Sequence, residues 1–373
     1  MRLRNVWHLG VKELRGLVRD RMMLVLIVYS FTFAIYSGAR AIPETLNKAP
    51  ISIVDEDRSP LSARIIDAFY PPHFLPPVRI DRHEMDARMD AGLDTFALNI
   101  PPNFQRDMLA DRQPTIQLNV DATRMTQAFT GSGYIQNIVD GEVSTFAQGY
   151  RANPAPPVGL VLRARFNPTL NRSWFGAVVQ VINNVTMLSI VLVGAALIRE
   201  REPGTIEHLL VMPVRPIEIM TSKVCSMGLV VLAACAFSLS FIVRGPLSVP
   251  IQGSVVLFLA GTALLLFATT SLGIFMGTVT RSMPQFGILL ILVLLPMQML
   301  SGGQTPRESM PELVQHIMLV APTTHYVMLA QAILYRGAGL EAVWPNFVVL
   351  AAIGGALFAF SLGRLRKSLA EIR

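Results

Sequence analysis

The sequence predicts a mainly α membrane protein: six transmembrane helices, with an α+β extracytoplasmic domain inserted between spans 1 and 2. Three observations predict it. The 373 residues are 52% hydrophobic and only 15% charged, with a mean hydropathy of +0.47, too apolar for an ordinary soluble chain. Six apolar runs, 22–38, 177–198, 224–243, 255–279, 286–301 and 346–363, contain no Asp, Glu, Lys, Arg or His. Most meet the roughly 17 to 25 residues a helix needs to cross a bilayer. Between the first two runs, residues 39–173 return to charges, prolines and short strand-like stretches, over a length typical of a domain.

Residues 1–21 carry six Lys/Arg and an apolar stripe, Leu3, Val6, Trp7, Leu14, Leu17 and Val18, at helical spacing. Arg4, His8, Lys12, Arg15 and Arg19 fall mostly elsewhere on the wheel. The pattern predicts an interfacial helix lying on the cytoplasmic leaflet, with Trp7 as an anchor. The alternative is the positive region of a signal peptide, with small residues at Ala39-Arg40-Ala41. Cleavage there would leave an odd number of spans, so 1–38 is taken as the interfacial helix and first span.

Within 39–173, strands are expected at 51–54, 95–100 and 115–120, each bounded by turn residues. Helices are expected at 57–70 and 102–110, with a longer helical arm at 124–150. Pro71-Pro72, Pro76-Pro77 and Pro156-Pro157 mark loops. Residues 174–373 are expected to form a five-span region. The run at 286–301 is a little short and holds Pro296, which is expected to kink or break it. Pro311–Val320 and Thr324–Leu334 are apolar, helix-like and too short to cross singly. They read as a re-entrant pair on the outer side, or as helices lying on that surface, within 302–345.

Charge sets the orientation. With the N-terminus inside, the segments 1–21, 199–223, 280–285 and 364–373 hold fifteen Lys/Arg. The short outside segments 244–254 and 302–345 hold three, Arg244, Arg307 and Arg336. Long domains translocate regardless of charge, so 39–173 is left out of the count. Both termini are therefore expected in the cytoplasm and the large domain outside. The same placement explains the net charge of +7 without invoking nucleic acid. Cys225 and Cys235 share one run and would lie about 15 Å apart along a helix axis, too far for a disulfide.

Chemistry of a catalytic kind is missing. None of the four lysines follows a glycine, so the chain has no phosphate-binding P-loop. His83-Glu84 is not followed by a histidine at 87, and the six histidines show no metal-ligand spacing. Neither a cofactor nor a metal site is expected in this chain, and it is not read as an enzyme. The lack of ionisable residues in the runs argues against a proton antiporter. Gln180, Asn183, Asn184, Thr186 and Ser189 form a polar strip in the second span. They are candidates either to line a path between two subunits or to hydrogen-bond between helices.

The remaining feature is the stretch after the second span, R-E-R-E-P-G-T-I-E-H-L-L-V-M-P at 199–213. Pro203-Gly204 turns the chain, Thr205 offers an N-cap, and Ile206, Leu209 and Leu210 give one apolar side before Pro213 stops the helix. A charged turn with a short surface helix is expected at the membrane edge, in a loop 199–223. The pattern E-R-E-x-G-T-x-E-x-L-L-x-x-P resembles the loop after the second span in permeases of type-2 ATP-binding-cassette exporters. Glu200, Arg201, Glu202, Gly204, Thr205, Glu207, Leu209, Leu210 and Pro213 hold the matching positions. Ala49–Asp67, Asn99–Phe104 and Leu300–Pro306 also fit the bacterial inner-membrane subset with a large periplasmic domain. The resemblance implies that the loop docks into a separate ATPase subunit, which holds the ATP and Mg. It further implies a second permease half, identical or paralogous, and a re-entrant hairpin before the last span; the outer domain is then expected to meet a periplasmic adaptor or guide cargo outward. The competing class is a membrane-anchored sensor or scaffold whose outer domain binds a ligand.

Overall fold

The computed structural model describes residues 2–40, 46–110, 112–148, 172–201 and 214–370. The chain divides into two compact units, Met1–Ile42 with Arg163–Arg373, and Pro43–Leu162.

The first unit is helical. α1 (Leu3–Arg19) ends at Asp20, which accepts from the Met23 N–H and so caps α2 (Arg21–Phe31). α3 (Phe33–Arg40) continues α2 after an irregular residue, Thr32. α8 (Arg172–Arg201) and α9 (Pro216–Ser238) follow, and Pro216 sits at the first turn of α9, where no N–H is needed. α9 runs on through a π turn, Leu239–Val243. α10 (Val255–Val279) starts where the Ser254 hydroxyl accepts from the Leu257 N–H. α11 (Met283–Met299), α12 (Glu312–Ile317), α13 (Pro322–Leu334) and α14 (Leu340–Ala370) complete the unit.

Among the described residues, five stretches are long and apolar enough to cross a membrane: Arg21–Arg40, Ser173–Glu200, Pro216–Val243, Val255–Val279 and Leu340–Lys367. The run expected at 286–301 forms α11, 17 residues with Pro296 inside. At about 1.5 Å per residue it reaches about 25 Å, short of a roughly 30 Å hydrocarbon core. The pair expected within 302–345 is present as Glu312–Val320 and Pro322–Leu334, bent by 94°. Pro322 causes the bend: it lacks an N–H and holds Ala321 extended at φ −78°, ψ 127°. Inside the bend, His325 Nε2 lies 2.9 Å from the Leu319 carbonyl, and the Tyr326 hydroxyl lies 2.7 Å from Thr262 Oγ1 on α10.

The helices differ in what covers them. The apolar window of α8 is 89% buried inside the protein, whereas that of α14 is 17% buried. Val25, Val28 and Phe33 on α2–α3, and Ile288, Leu292 and Leu295 on α11, stay exposed. So much apolar surface is a liability in water and the expected covering for a helix in lipid. α8 and α10 approach closely through small residues. A Cβ on Gly273 would stand 2.8 Å from the Ile190 carbonyl oxygen, and one on Gly277 would stand 3.1 Å from Leu197 Cδ2. Gly273 and Gly277 are a G-x-x-x-G pair, the spacing that brings two membrane helices into backbone contact.

The second unit is α+β. Its strands β1 (Ile51–Asp55), β2 (Val78–Arg79), β3 (Phe96–Ile100) and β4 (Gln117–Val120) form one sheet in the order β2-β1-β3-β4. β1 pairs in parallel with β2 and β3, and β4 closes the edge antiparallel to β3. α4 (Pro60–Asp67), α5 (Met85–Asp90), α6 (Phe104–Leu109) and α7 (Met125–Gln148) accompany it. The core gathers Ile51, Ile53, Leu61, Ile65, Phe74, Phe96, Leu98 and Ile135. The helix expected from 57 begins at Pro60, because Ser59 and Ser62 form a capping box ahead of it. The one expected at 102–110 begins at Phe104, behind Asn103 in the left-handed region at φ 62°. β2 was not expected, since two exposed residues carry no alternation to read.

Replacing Gly273 with leucine forces a side chain into the Ile190 backbone. The expected cost is about 1–3 kcal/mol, the usual range for overpacking, seen as a lower thermal midpoint in detergent. Gly287→Leu, where an added Cβ meets nothing within 4 Å, should leave the midpoint unchanged.

Candidate functional site

α8 ends at Arg201, and the described residues resume at Val214, just before α9. Of the residues expected to dock an ATPase, Glu200 and Arg201 lie in the last turn of α8. Glu202, Gly204, Thr205, Glu207, Leu209, Leu210 and Pro213 lie outside the described residues. What the structure provides is the two helix ends that flank them in sequence.

Those helix ends are joined by buried charge. Lys223, in the second turn of α9, has a side chain only 2% exposed. Its Nζ donates to Glu13 Oε1 on α1 at 2.8 Å and stands 2.8 Å from Glu200 Oε2 at the end of α8. Lys12, half exposed, donates to the other Glu200 oxygen, Oε1. Two ammonium groups and two carboxylates thus form a cluster with no net charge. An unpaired ammonium in so dry a place would cost several kcal/mol, and contact with carboxylates offsets that cost. The Glu200–Lys223 contact ties the start of the loop to its end. The Glu13–Lys223 contact ties both to the N-terminal helix.

Two further carboxylates, Glu218 and Asp20, fix the same end. Glu218, buried at the third position of α9, accepts from the Arg2 backbone N–H at 2.6 Å, from Asn5 Nδ2 at 3.1 Å and from the Arg215 N–H at 3.2 Å. One carboxylate therefore satisfies free N–H groups at the starts of α1 and α9, where helix dipoles favour negative charge. Asp20, at the corner between α1 and α2, pairs with Arg199. The Met23 N–H, together with the Arg199 guanidinium, holds the Asp20 carboxyl below its ordinary range.

α1 then shows three faces. Leu9, Gly10, Glu13 and Leu17 are buried. Gly10 faces α9 so closely that a Cβ would stand 2.8 Å from Ser226 Oγ. Leu3, Trp7 and Val18 of the expected stripe are exposed, whereas Leu17 is turned inward. Arg4, His8, Arg15 and Arg19 make up an exposed polar side. The exposed apolar strip beside a basic one is the surface expected of a helix lying in a membrane interface.

The polar strip of α8 is engaged within the chain. The Asn184 amide donates to the Ser30 carbonyl of α2. Ser189 Oγ donates to Thr269 Oγ1 of α10 at 2.7 Å, and Thr186 Oγ1 donates to the Ile182 carbonyl. Gln180 Nε2 donates to Asn184 Oδ1 at 3.2 Å, and Gln298 Nε2 of α11 donates to the Asn183 carbonyl at 3.4 Å. Thr186 and Ser189 have no exposed surface in this chain.

Glu13, Lys223 and Glu218 were not singled out from sequence. Lys223 counted only as one positive residue ahead of an apolar run, but α9 begins eight residues before that run and carries both Glu218 and Lys223. The available signal was Glu13: an acid at the i+3, i+4 and i+7 spacing with Val6, Gly10 and Leu17, on the apolar side of an otherwise basic helix.

Comparison with known proteins follows the same lines. Residues 22–362 match the family described as ABC-2 family transporter protein. The inner membrane transport permease YhhJ of Escherichia coli (strain K12) is 64% identical over 367 residues, covering 98% of each chain. The probable multidrug ABC transporter permease YbhR of the same strain is 25% identical over 363 residues, covering 95% of this chain and 97% of its own. The probable multidrug ABC transporter permease YbhS, also of that strain, is 26% identical over 345 residues, covering 90% and 89%.

The charge cluster predicts a non-additive mutation series. Lys223→Met strands the buried Glu13 carboxylate, while Glu200 keeps Lys12, and should destabilise by about 3–5 kcal/mol. Lys223→Met with Glu13→Leu removes both members of the buried pair and should recover most of that loss. Thermal midpoints of the two single variants and the double variant, read as a double-mutant cycle, check this.

Proposed function

The chain belongs to the ABC-2 family of transporter proteins, and from that premise we propose that it is the transmembrane permease subunit of an ATP-driven exporter of the bacterial inner membrane. Hydrolysis belongs to a separate ATPase subunit that holds ATP and Mg; this chain supplies the passage and the docking surface. The basic segments support a topology with both termini in the cytoplasm, on the side of the ATPase, and the α+β unit in the periplasm, facing an adaptor. Two permease halves, identical or paralogous, would enclose the path. The names of the two multidrug permeases support a drug-like, amphipathic cargo.

The single observation that supports this reading best is the buried Lys223 held between Glu200 and Glu13. In the proposed mechanism the ATPase presses on the loop bearing Glu202, Gly204, Thr205, Glu207, Leu209, Leu210 and Pro213. Because Glu200 and Lys223 join the loop's two ends, the force reaches α8 and α9 together rather than deforming the loop. Through Glu13 it also reaches α1. α8 is the most deeply buried of the long helices, so a shift of its end carries its neighbours with it.

Purification of the solubilised protein from its native membrane, with identification of what accompanies it, tests the proposal. The expected result is a stoichiometric ATPase subunit. Glu202→Ala with Leu209→Asp should weaken that association at least 30-fold, the size expected for losing a central interface contact. Recovery without any ATPase, under conditions that preserve other membrane complexes, would instead favour a membrane-anchored sensor.

A further inference from the structure

A second site lies at the ends of α10 and α14. The two helices run in parallel and touch where Ser361 Oγ donates to the Ser271 carbonyl at 2.8 Å, and where Gly354 meets the Phe267 ring. Beyond Ser361 they part around an open cleft of about 700 Å³. Its walls are apolar: Phe275 and Val279 on α10, and Phe360 on α14, with the two phenylalanine rings 5.1 Å apart between centroids. Its floor includes Gly363, where an added Cβ would meet nothing within 4 Å. Its rim carries two cations, Arg364 and Lys367, one turn apart on α14 and both exposed. Among the described residues, no carboxylate forms an ion pair with either.

We propose that this cleft binds an anionic phospholipid, one acyl chain lying against Phe275, Val279 and Phe360 and the phosphate held by Arg364 and Lys367. Four observations combine to favour that occupant. Both walls belong to helices long and apolar enough to cross a membrane. Phe360 is 62% exposed and Val279 is 44% exposed, so the cleft opens to whatever surrounds the helices, which in a bilayer is lipid. The cations sit at one end of the apolar cleft, as a lipid's headgroup sits at one end of its chains. Finally, two neighbouring positive charges favour a headgroup with net negative charge, whereas the amine of a zwitterionic lipid opposes them. Basic pockets between membrane helices are a recurrent headgroup site. The inference depends on the chain's place in a membrane and not on export, so it stands or falls separately from the transport reading.

Native mass spectrometry of the detergent-purified full chain tests it, titrating phosphatidylglycerol or phosphatidylcholine and competing with inorganic phosphate. Phosphatidylglycerol should be retained in clear preference to phosphatidylcholine, and phosphate alone should not displace it. Arg364→Gln with Lys367→Gln should weaken retention roughly 30-fold, the sum expected for two surface cations near an anionic headgroup. Gly363→Phe keeps both cations and fills the cleft, and should weaken retention as well. Arg15→Gln with Arg19→Gln, on the basic side of α1, should leave it unchanged. Equal retention of the two lipids would overturn the site, as would displacement by phosphate alone. So would loss of preference only in the Arg15 and Arg19 variant, or full retention in Gly363→Phe.

Discussion

An ammonium group with almost no exposed surface is tolerable only where carboxylates touch it, and most of what is particular to this molecule follows from how Lys223 meets that condition. Its two partners come from different elements, Glu13 from α1 and Glu200 from the end of α8. Each of the three must stay in register for the charge to be compensated. A hydrophobic replacement could pack three helices together with equal stability, since buried ion pairs rarely gain much over apolar isosteres. What ions add is intolerance of displacement: a shift that would be minor between apolar groups strands a charge. The three elements are thus held as one piece at the end of α8 and the start of α9.

Elsewhere in the helical unit, stability has to come from other sources. Lipid is as apolar as leucine, so burying leucine against leucine gains little between membrane helices, and close packing and hydrogen bonds carry more of the association. Gly273 and Gly277 let α10 reach the backbone of α8. Asn184 and Ser189 then fasten α8 to α2 and to α10 through bonds whose loss would leave polar groups unpaired away from water. Of the polar strip, Asn184 and Ser189 thus serve helix association, while Gln180 and Thr186 bond within α8 itself. The outward surfaces of α11 and α14 need no such devices, because their solvent is hydrocarbon.

How far the sequence carries the reader depends on the length of the signal. Runs of twenty apolar residues cannot be mistaken for anything soluble, and the long helices stand where those runs predict. The strands expected at 51–54 and 95–100 were legible because they are short, mostly apolar stretches flanked by turn residues. Helix starts were less so. The first turn of a helix is set by a cap, and Ser59 moved one start to Pro60. β2 left no trace, because two residues carry no period. The charged cluster was the largest omission. Pairing between Glu13, Glu200 and Lys223 spans about 200 positions, and no local pattern encodes such a contact; only the misplaced acid on the apolar side of α1 hinted at it. In contrast, the residues proposed to dock an ATPase, from Glu202 to Pro213, rest solely on a motif, through family resemblance, and lie outside the described residues.

The two kinds of helix surface also say which parts of a permease of this build are free to move. α8 is covered along nearly its whole length, and its end is fixed by Glu200, so it cannot slide without breaking close glycine contacts or an ion pair. α14 is mostly exposed on its apolar side, and its neighbours there are fluid molecules that exchange places at little cost. On the proposed function, a push on the segment between α8 and α9 therefore moves α1, α8, α9 and α10 together. α14 follows where it is fastened to α10, at Ser361–Ser271 and Gly354–Phe267, but not at its end beyond Ser361, where the two helices part. A lipid seated between the ends of α10 and α14 would lie across the boundary of that motion. Its headgroup would be held by the peripheral helix, through Arg364 and Lys367, while its chain rests against Phe275 and Val279 on the moving one. A molecule bound at that position resists separation of the two helices, so the lipid composition of the membrane becomes a term in the energy of the conformational step.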